Sequence, residues 1–283
     1  MIEKLMDIFS EYVARYMIEA DQYDDFGIYK TVARMTNLQP GKQQRNLDIG
    51  CGPGYTLRSI LEEVHDAFLL GIDINPSFFD CGCFSVKEIK GRGIKIEQDG
   101  SFHIDYPELD KEILSETNIV LAQANIAHRE KFEELFSDTQ FDSVTCTFVH
   151  KGGIDLYAYE EIPEGANLGI QQHRSKSSDR YIIPHFDRTI AENTQWLYTN
   201  FLKPGGRLVV SDRTYISDSS KIGPHKPIQN KYWTEVDFQE DTITLEGMRE
   251  GLVWNNGDNI DTRKVIIHTM AFERSDLPYE GPL

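Results

Sequence analysis

The sequence predicts an α/β protein in which an open sheet is covered by helices, and three observations carry that expectation. Asn46–Ile49 is a short strand-like run that ends in Gly50, Gly52 and Gly54, and Leu57, Ile60, Leu61 and Val64 then recur at helical spacing. Ala67–Ile72 is a second apolar run, and it ends on Asp73, nineteen residues beyond Gly54. Further strand-like runs at 118–124, 141–149 and 207–211 alternate with helical stretches at 128–136 and 187–201. Strands alternating with helices give a parallel sheet.

The first of these stretches points to a ligand. Glycine admits positive φ and lets a ligand approach where a Cβ would stand. The helix that follows brings unpaired N–H groups to the same place. An acid about 20 residues after such a turn is placed to accept hydrogen bonds from a ribose diol. The spacing is Gly-x-Gly-x-Gly and not the dinucleotide fingerprint Gly-x-Gly-x-x-Gly. Asp48 precedes the glycines, no cation lies within the turn, and Arg58 follows one helical turn later. A carboxylate there suits a ligand with a positive centre better than a diphosphate. S-adenosylmethionine carries an ammonium and a sulfonium as well as a ribose.

Four segments in order resemble the motifs of the class I S-adenosylmethionine-dependent methyltransferases. They are Leu47-Asp-Ile-Gly-Cys-Gly-Pro-Gly54, Gly71-Ile-Asp-Ile-Asn-Pro76, Phe141-Asp-Ser-Val144 and Leu202-Lys-Pro-Gly-Gly-Arg-Leu-Val-Val210, and together they span roughly Asn46 to Asp212. The resemblance implies a Rossmann-like doubly wound mixed sheet of seven strands, with helices on both faces and an antiparallel C-terminal edge hairpin. It implies S-adenosyl-L-methionine as cofactor. Asp48, Gly50, Cys51, Gly52 and Gly54 would shape the methionine end, Asp73 would hold the ribose and Ile74 would pack on the adenine. Gln123, Ala124 and Asn125 would line the adenine edge. Enzymes of this family often place an Asp there; this sequence has none, and an amide oxygen of Gln123 or Asn125 can accept the same hydrogen bond.

Taken in order, the elements begin with Ile2, Leu5, Met6, Phe9, Tyr12, Val13, Tyr16 and Met17, which fall at helical steps and predict an amphipathic helix. A second helix is expected from about Phe26 to Thr36, closed by Pro40-Gly41. In the family such a helical cap, here 1–42, lies over the cofactor pocket. Tyr16, Tyr23 and Tyr29 are candidates to bring a hydroxyl to it, each weighed against simple packing. After Asp73, Asn75 and Pro76 open another helix. Cys81-Gly82-Cys83 lacks a second ligand pair, so no metal is expected.

Residues 90–118 are expected to be an insertion, a hairpin followed by a short helix at 107–116. Pairing Ile96 with Phe102 and Ile94 with Ile104 keeps the apolar residues on one face, which favours a loop with Gly100 left-handed. The fourth strand runs into His150, a candidate general base on an acceptor hydroxyl or amine, weighed against a structural loop histidine. Residues 151–182 show little periodicity and are expected to be an acceptor-side loop. The fifth strand is expected at Arg207–Ser211, and the last strands at Thr242–Leu245 and Arg263–Phe272, with 213–240 unassigned.

The chain has 283 residues, enough to bury about three quarters of its extended surface, and reads as a single domain over 1–283. Four cysteines without a disulfide framework fit a reducing compartment. With no signal-peptide pattern at its start and no membrane-length apolar run, the chain is expected to be cytoplasmic with no membrane partner. A net charge of −17 repels phosphate backbones and argues against a nucleic-acid substrate. The lysines of 221–231 read as a solvated loop. The expected activity is therefore methyl transfer to a small molecule. A nicotinamide-dependent oxidoreductase and a non-catalytic cofactor-binding module with the same fold are the alternatives. The acceptor atom and the oligomeric state are not encoded in any motif.

Overall fold

The computed structural model describes residues 16–73, 78, 83, 94–96, 102–104, 119–123, 139–148, 200–217, 231–245 and 260–278. Helix α1 covers 16–25, and α2 (Ile28–Met35) follows through Gly27, whose φ is 77°. Strand β1 (Arg45–Ile49) leads through the glycine turn into α3 (Tyr55–Glu63), and β2 (Phe68–Asp73) returns beside β1. A hairpin of β3 (Ile94–Ile96) and β4 (Phe102–Ile104) precedes β5 (Ile119–Gln123). Then come β6 (Phe141–Thr147), β7 (Leu202–Ser217), β8 (Trp233–Thr244) and β9 (Ile260–Arg274).

One sheet holds all nine strands, in the order β4-β3-β5-β2-β1-β6-β7-β9-β8. From β5 to β7 neighbouring strands are parallel, while β9 is antiparallel to both β7 and β8. The seven strands β5-β2-β1-β6-β7-β9-β8 form the expected mixed sheet with its antiparallel C-terminal edge. The inserted hairpin extends it, because β3 adds parallel to β5. Its register pairs Ile94 with Ile104 and Ile96 with Phe102, as the apolar pattern requires. Gly100 and the helices expected at 107–116 and 128–136 lie outside the described residues, as do residues 1–15 and the segment 151–182. Of the helix expected at 187–201, only Asn200 is described, and it is helical.

Central β1 is buried at four of its five positions. Leu57 and Ile60 of α3, Leu69 of β2, and Ile119 and Leu121 of β5 form one apolar cluster beside it. A second cluster joins Ala20, Tyr23 and Ile28 of the first two helices to Val265 and Ile267 of β9. Val32 and Met35 of α2 pack on Val209 and Ala271. The N-terminal helices are therefore seated on the sheet by the apolar face their spacing encodes.

Three strands are longer than the sequence suggests. β7 starts at Leu202, before the Lys203–Gly206 turn, which bulges out so that Phe141 pairs with Leu202 and Ser143 next with Arg207. A Cβ on Gly206 would lie 2.8 Å from the Lys203 carbonyl oxygen and 2.9 Å from that of Asp142, so only glycine fits. β8 begins at Trp233 and not Thr242. As the last strand of the sheet it is paired on one side and mostly exposed, so Glu235, Asp237, Glu240 and Asp241 hide its strand character behind polar composition. β9 overruns its expected ends because it pairs with both neighbours almost throughout.

Candidate functional site

The site is built at the carboxyl ends of β1 and β2, beside the point where the strand order reverses between β1 and β6. Open α/β sheets bind ligands in that crevice. Gly50, Gly52 and Gly54 have φ of 66°, 50° and 89°, the left-handed region that side chains disfavour. Gly54 caps α3, and no side-chain hydrogen bond closes that helix end.

Backbone hydrogen bonds fix the turn from several directions. The Cys51 N–H donates to the Ile72 carbonyl at 2.9 Å, and the Gly54 N–H to the Cys51 carbonyl at 2.9 Å. The Gly52 N–H donates to Oδ2 of Asp73 at 2.9 Å. The Cys83 N–H donates to the Pro53 carbonyl at 2.8 Å. Gly71 lets the turn and α3 approach β2. A Cβ there would meet Leu57 Cδ1 at 2.6 Å and Cys51 Sγ at 2.9 Å. Burial pushes the Cys51 thiol well above its ordinary pKa, with the nearby Asp73 and Asp48 adding to it. Cys51 is buried, with its sulfur packed beside Gly71.

Asp48 is 1% exposed. Its Oδ1 accepts from the Thr145 hydroxyl at 2.8 Å. Thr145 accepts in turn from Nδ2 of Asn46 at 3.2 Å, and Oδ1 of Asn46 accepts from the Ser143 hydroxyl at 2.7 Å. This buried chain of polar groups across β1 and β6 holds the carboxylate in one orientation. Oδ2 of Asp48 has no hydrogen-bond partner among the described residues. Burial raises the Asp48 pKa to about 7; the Thr145 hydrogen bond opposes the shift and the Asp73 charge adds to it. A buried carboxylate oxygen without a donor is costly, and a cation or N–H donor placed against it would offset the cost.

Asp73 is 8% exposed and stands level with Gln123 in the β2–β5 register. Ile74, Ala124, Asn125 and His150 lie outside the described residues. The last described residue before His150 is Phe148, just beyond the end of β6, buried, with φ of 60°. Its N–H donates to the Ser211 carbonyl at 2.8 Å. Non-glycine residues in this conformation are uncommon and gather at functional sites.

The three candidate tyrosines separate. Tyr23 and Tyr29 pack on Phe148, with ring centroids at 4.5 Å and 6.1 Å. Tyr16 alone lies against the glycine turn: a Cβ on Gly52 would be 3.3 Å from its Cε1 and 3.5 Å from its hydroxyl. Its ring also contacts Phe78 at 5.1 Å. Two further contacts tie α1 to α3. The Tyr55 hydroxyl donates to Asp21, and Arg58 pairs with Asp24 at 2.6 Å. Arg58 thus closes onto the cap helix and also approaches Glu62 at 3.8 Å. Sequence reasoning assigned no role to Thr145, Gly71 or Phe148. Thr145 had a visible signal, since small hydroxyl residues alternate through an otherwise apolar central strand.

No family model matches the chain, and no curated protein matches it. Solved structures similar to it include TrmN from Thermus thermophilus, at 11% identity and a TM-score of 0.42 over 87% of this chain and 48% of that one. The Geobacter metallireducens precorrin-6y C5,15-methyltransferase is similar at 12% identity and a TM-score of 0.35, over 86% of each chain. A Haemonchus contortus phosphoethanolamine N-methyltransferase 2, in complex with S-adenosyl-L-methionine, is similar at 12% identity and a TM-score of 0.41 over 88% of this chain and 53% of that one. The chain spans about half the length of the first and third of these proteins.

Proposed function

We propose that the chain is an S-adenosylmethionine-dependent methyltransferase acting on a small-molecule acceptor. The observation that carries this reading is Asp48: a buried carboxylate with one oxygen lacking a donor, set beside a turn whose three glycines keep Cβ atoms out of the approach. An ammonium fits that oxygen, and a diphosphate does not. The N–H groups of Cys51, Gly52 and Gly54 are already bonded within the protein, and Pro53 has none. Arg58 is paired with Asp24. Both facts count against a nicotinamide dinucleotide.

In this reading Asp48 receives the cofactor's ammonium and Asp73 the ribose diol, while Ile74, Gln123, Ala124 and Asn125 enclose the adenine. When bound, the cofactor supplies a methyl group already activated by a sulfonium. The chain's own task is to hold the acceptor in line with that methyl, and positioning of this kind is worth about 7–11 kcal/mol. His150 is proposed to take the acceptor's proton, a contribution of about 10²–10⁴-fold where the nucleophile is protonated. The cap 1–42 and the segment 151–182 would then close the acceptor side. The small-molecule reading is supported by the net charge of −17, which disfavours a nucleic acid.

Calorimetric titration with S-adenosylhomocysteine tests the proposal. Asp73→Ala removes both the ribose acceptor and the anchor of the Gly52 N–H and is expected to abolish binding. Asp73→Asn keeps an acceptor for that N–H and is expected to bind measurably, more weakly than the native chain. Equal affinity in all three proteins would remove Asp73 from the site. Tight binding without transfer to any of a broad acceptor panel would favour the non-catalytic module.

A further inference from the structure

β8 closes one side of the sheet: β9 pairs with it, and no strand among the described residues pairs with its other edge. Edge strands are commonly blunted by proline, by lysine or by a bulge. β8 holds no proline, lysine or arginine. Its bulge lies between Glu235 and Asp237, and from the Asp237–Ala271 pair to the Thr244–Lys264 pair the register runs without a break. Val236 and Phe238 are large apolar residues left 40% and 42% exposed. The ladder shows which backbone groups are on offer. The Ser275 N–H donates to the Tyr232 carbonyl, so alternate residues of β9 turn their backbone groups to β8, and these face Asp237, Gln239 and Asp241. Phe238, Glu240 and Thr242 therefore turn theirs outward. In agreement, the Phe238 N–H donates to Oδ1 of the neighbouring Asp237 at 2.9 Å.

We propose that the outer edge of β8, from Asp237 to Thr244, docks an extended segment of a partner protein that carries lysine or arginine at alternate positions and adds to the sheet as a further strand. Main-chain hydrogen bonds to Phe238, Glu240 and Thr242 hold such a strand, and charge selects it. The acids of β8 are Glu235, Asp237, Glu240 and Asp241, with no basic residue among them. Asp237 and Asp241 share one face, on either side of Gln239, which accepts from Arg34 of α2 at 2.9 Å. Phe238 and Glu240 share the other, where Glu240 meets His268 at 3.0 Å. An incoming carbonyl takes over the Phe238 N–H, and the Asp237 carboxylate turns to the cation that arrives with it. Opposite charges facing each other across a strand pair stabilise it and like charges destabilise it. A second copy of this chain fits the edge poorly for that reason. Pairing two β8 strands about Gln239 would set Asp237 of one copy against Asp241 of the other, between chains that each carry a net charge of −17.

The test uses two peptides and three proteins. The probe is a capped peptide of about ten residues in which lysine and valine alternate, a length that matches the strand. Its control has the same sequence with every second amide N-methylated, which keeps the charge and removes the strand hydrogen bonds along one edge. The native chain is expected to bind the probe at about 0.1 M salt and the control about tenfold or more weakly, since several backbone hydrogen bonds are lost. Thr242→Pro places a proline where the N–H points outward, which leaves the ladder with β9 and every charge intact. It is expected to melt with the native chain and to lose the probe by a similar factor. The double variant Asp237→Asn, Asp241→Asn is expected to weaken probe binding while leaving the fold unchanged. Equal affinity of the native chain for probe and control would overturn the proposal, because charge alone would then account for binding. No binding of the probe by the native chain would also overturn it. A dimer in sedimentation that Thr242→Pro dissolves would assign the edge to a second copy and overturn the basic partner.

Discussion

Asp48 sets function against stability. Its pKa in the folded chain is raised from 3.8 to about 7, mainly by burial. The unfolded chain therefore gives up this proton more readily, and folding is opposed as pH rises between those two values. The stability lost across that window is on the order of 4 kcal/mol at 1.36 kcal/mol per unit. Asp48→Asn removes the titration and is expected to unfold at higher urea than the native chain at pH 8, with the difference shrinking towards pH 4. The same variant is expected to lose S-adenosylhomocysteine affinity. Since an ammonium prefers the ionised carboxylate, native affinity should rise as pH climbs through about 7 and level off above it. Calorimetry across pH 5.5–8.5, with a flat profile for Asp48→Asn, checks this.

At this scale the sequence was legible wherever backbone conformation or charge decides the residue. The three glycines, Asp48 and Asp73 are informative because a left-handed turn and a buried acid leave few other choices. Thr145 and Phe148 act through tertiary neighbours on β1, α1 and β7, and spacing within one segment carries no trace of those neighbours.

Among the elements, the joints between strands are where close approach selects glycine. Gly206 faces two backbone carbonyl oxygens, at 2.8 Å and 2.9 Å, while Gly71 faces the ends of Leu57, Cys51 and Leu121. Side-chain ends can rotate aside and carbonyls of a paired strand cannot. Gly71→Ala is expected to cost about 1–3 kcal/mol by overpacking. Gly206→Ala is expected to cost more, because the Lys203–Gly206 bulge and the Phe141–Leu202 pairing must shift with it. Urea denaturation of the two variants ranks them. The inserted hairpin shows the same logic in a favourable case. Its apolar residues alternate with period two, and one register alone keeps them on one face, so the pairing of β3 with β4 is legible in the sequence. β8 was underestimated because an edge strand with two wet faces has no such alternation to show.

Across the whole molecule, the four family-like motifs span the strands that surround the reversal in sheet order, and the sheet brings their ends together. Sequence separations of 97 residues, from Asn46 to Ser143 and from Asp48 to Thr145, close into hydrogen bonds of 2.7 Å and 2.8 Å. Motif order revealed the sheet because each motif sits at a strand end. The cap could be read as helical but its seat could not, since the Tyr16 contact with Gly52 and the Tyr23 contact with Phe148 are made across the fold. Among the described residues no helix is long and apolar enough to cross a membrane.

The proposed function needs a crevice that accepts an adenosine at one end and a charged amino acid at the other. Titration of the native chain with S-adenosylhomocysteine at pH 8 measures that directly. One equivalent bound, with a melting temperature that climbs with ligand concentration, is the expected result. No heat and no shift in melting temperature at millimolar ligand would contradict it.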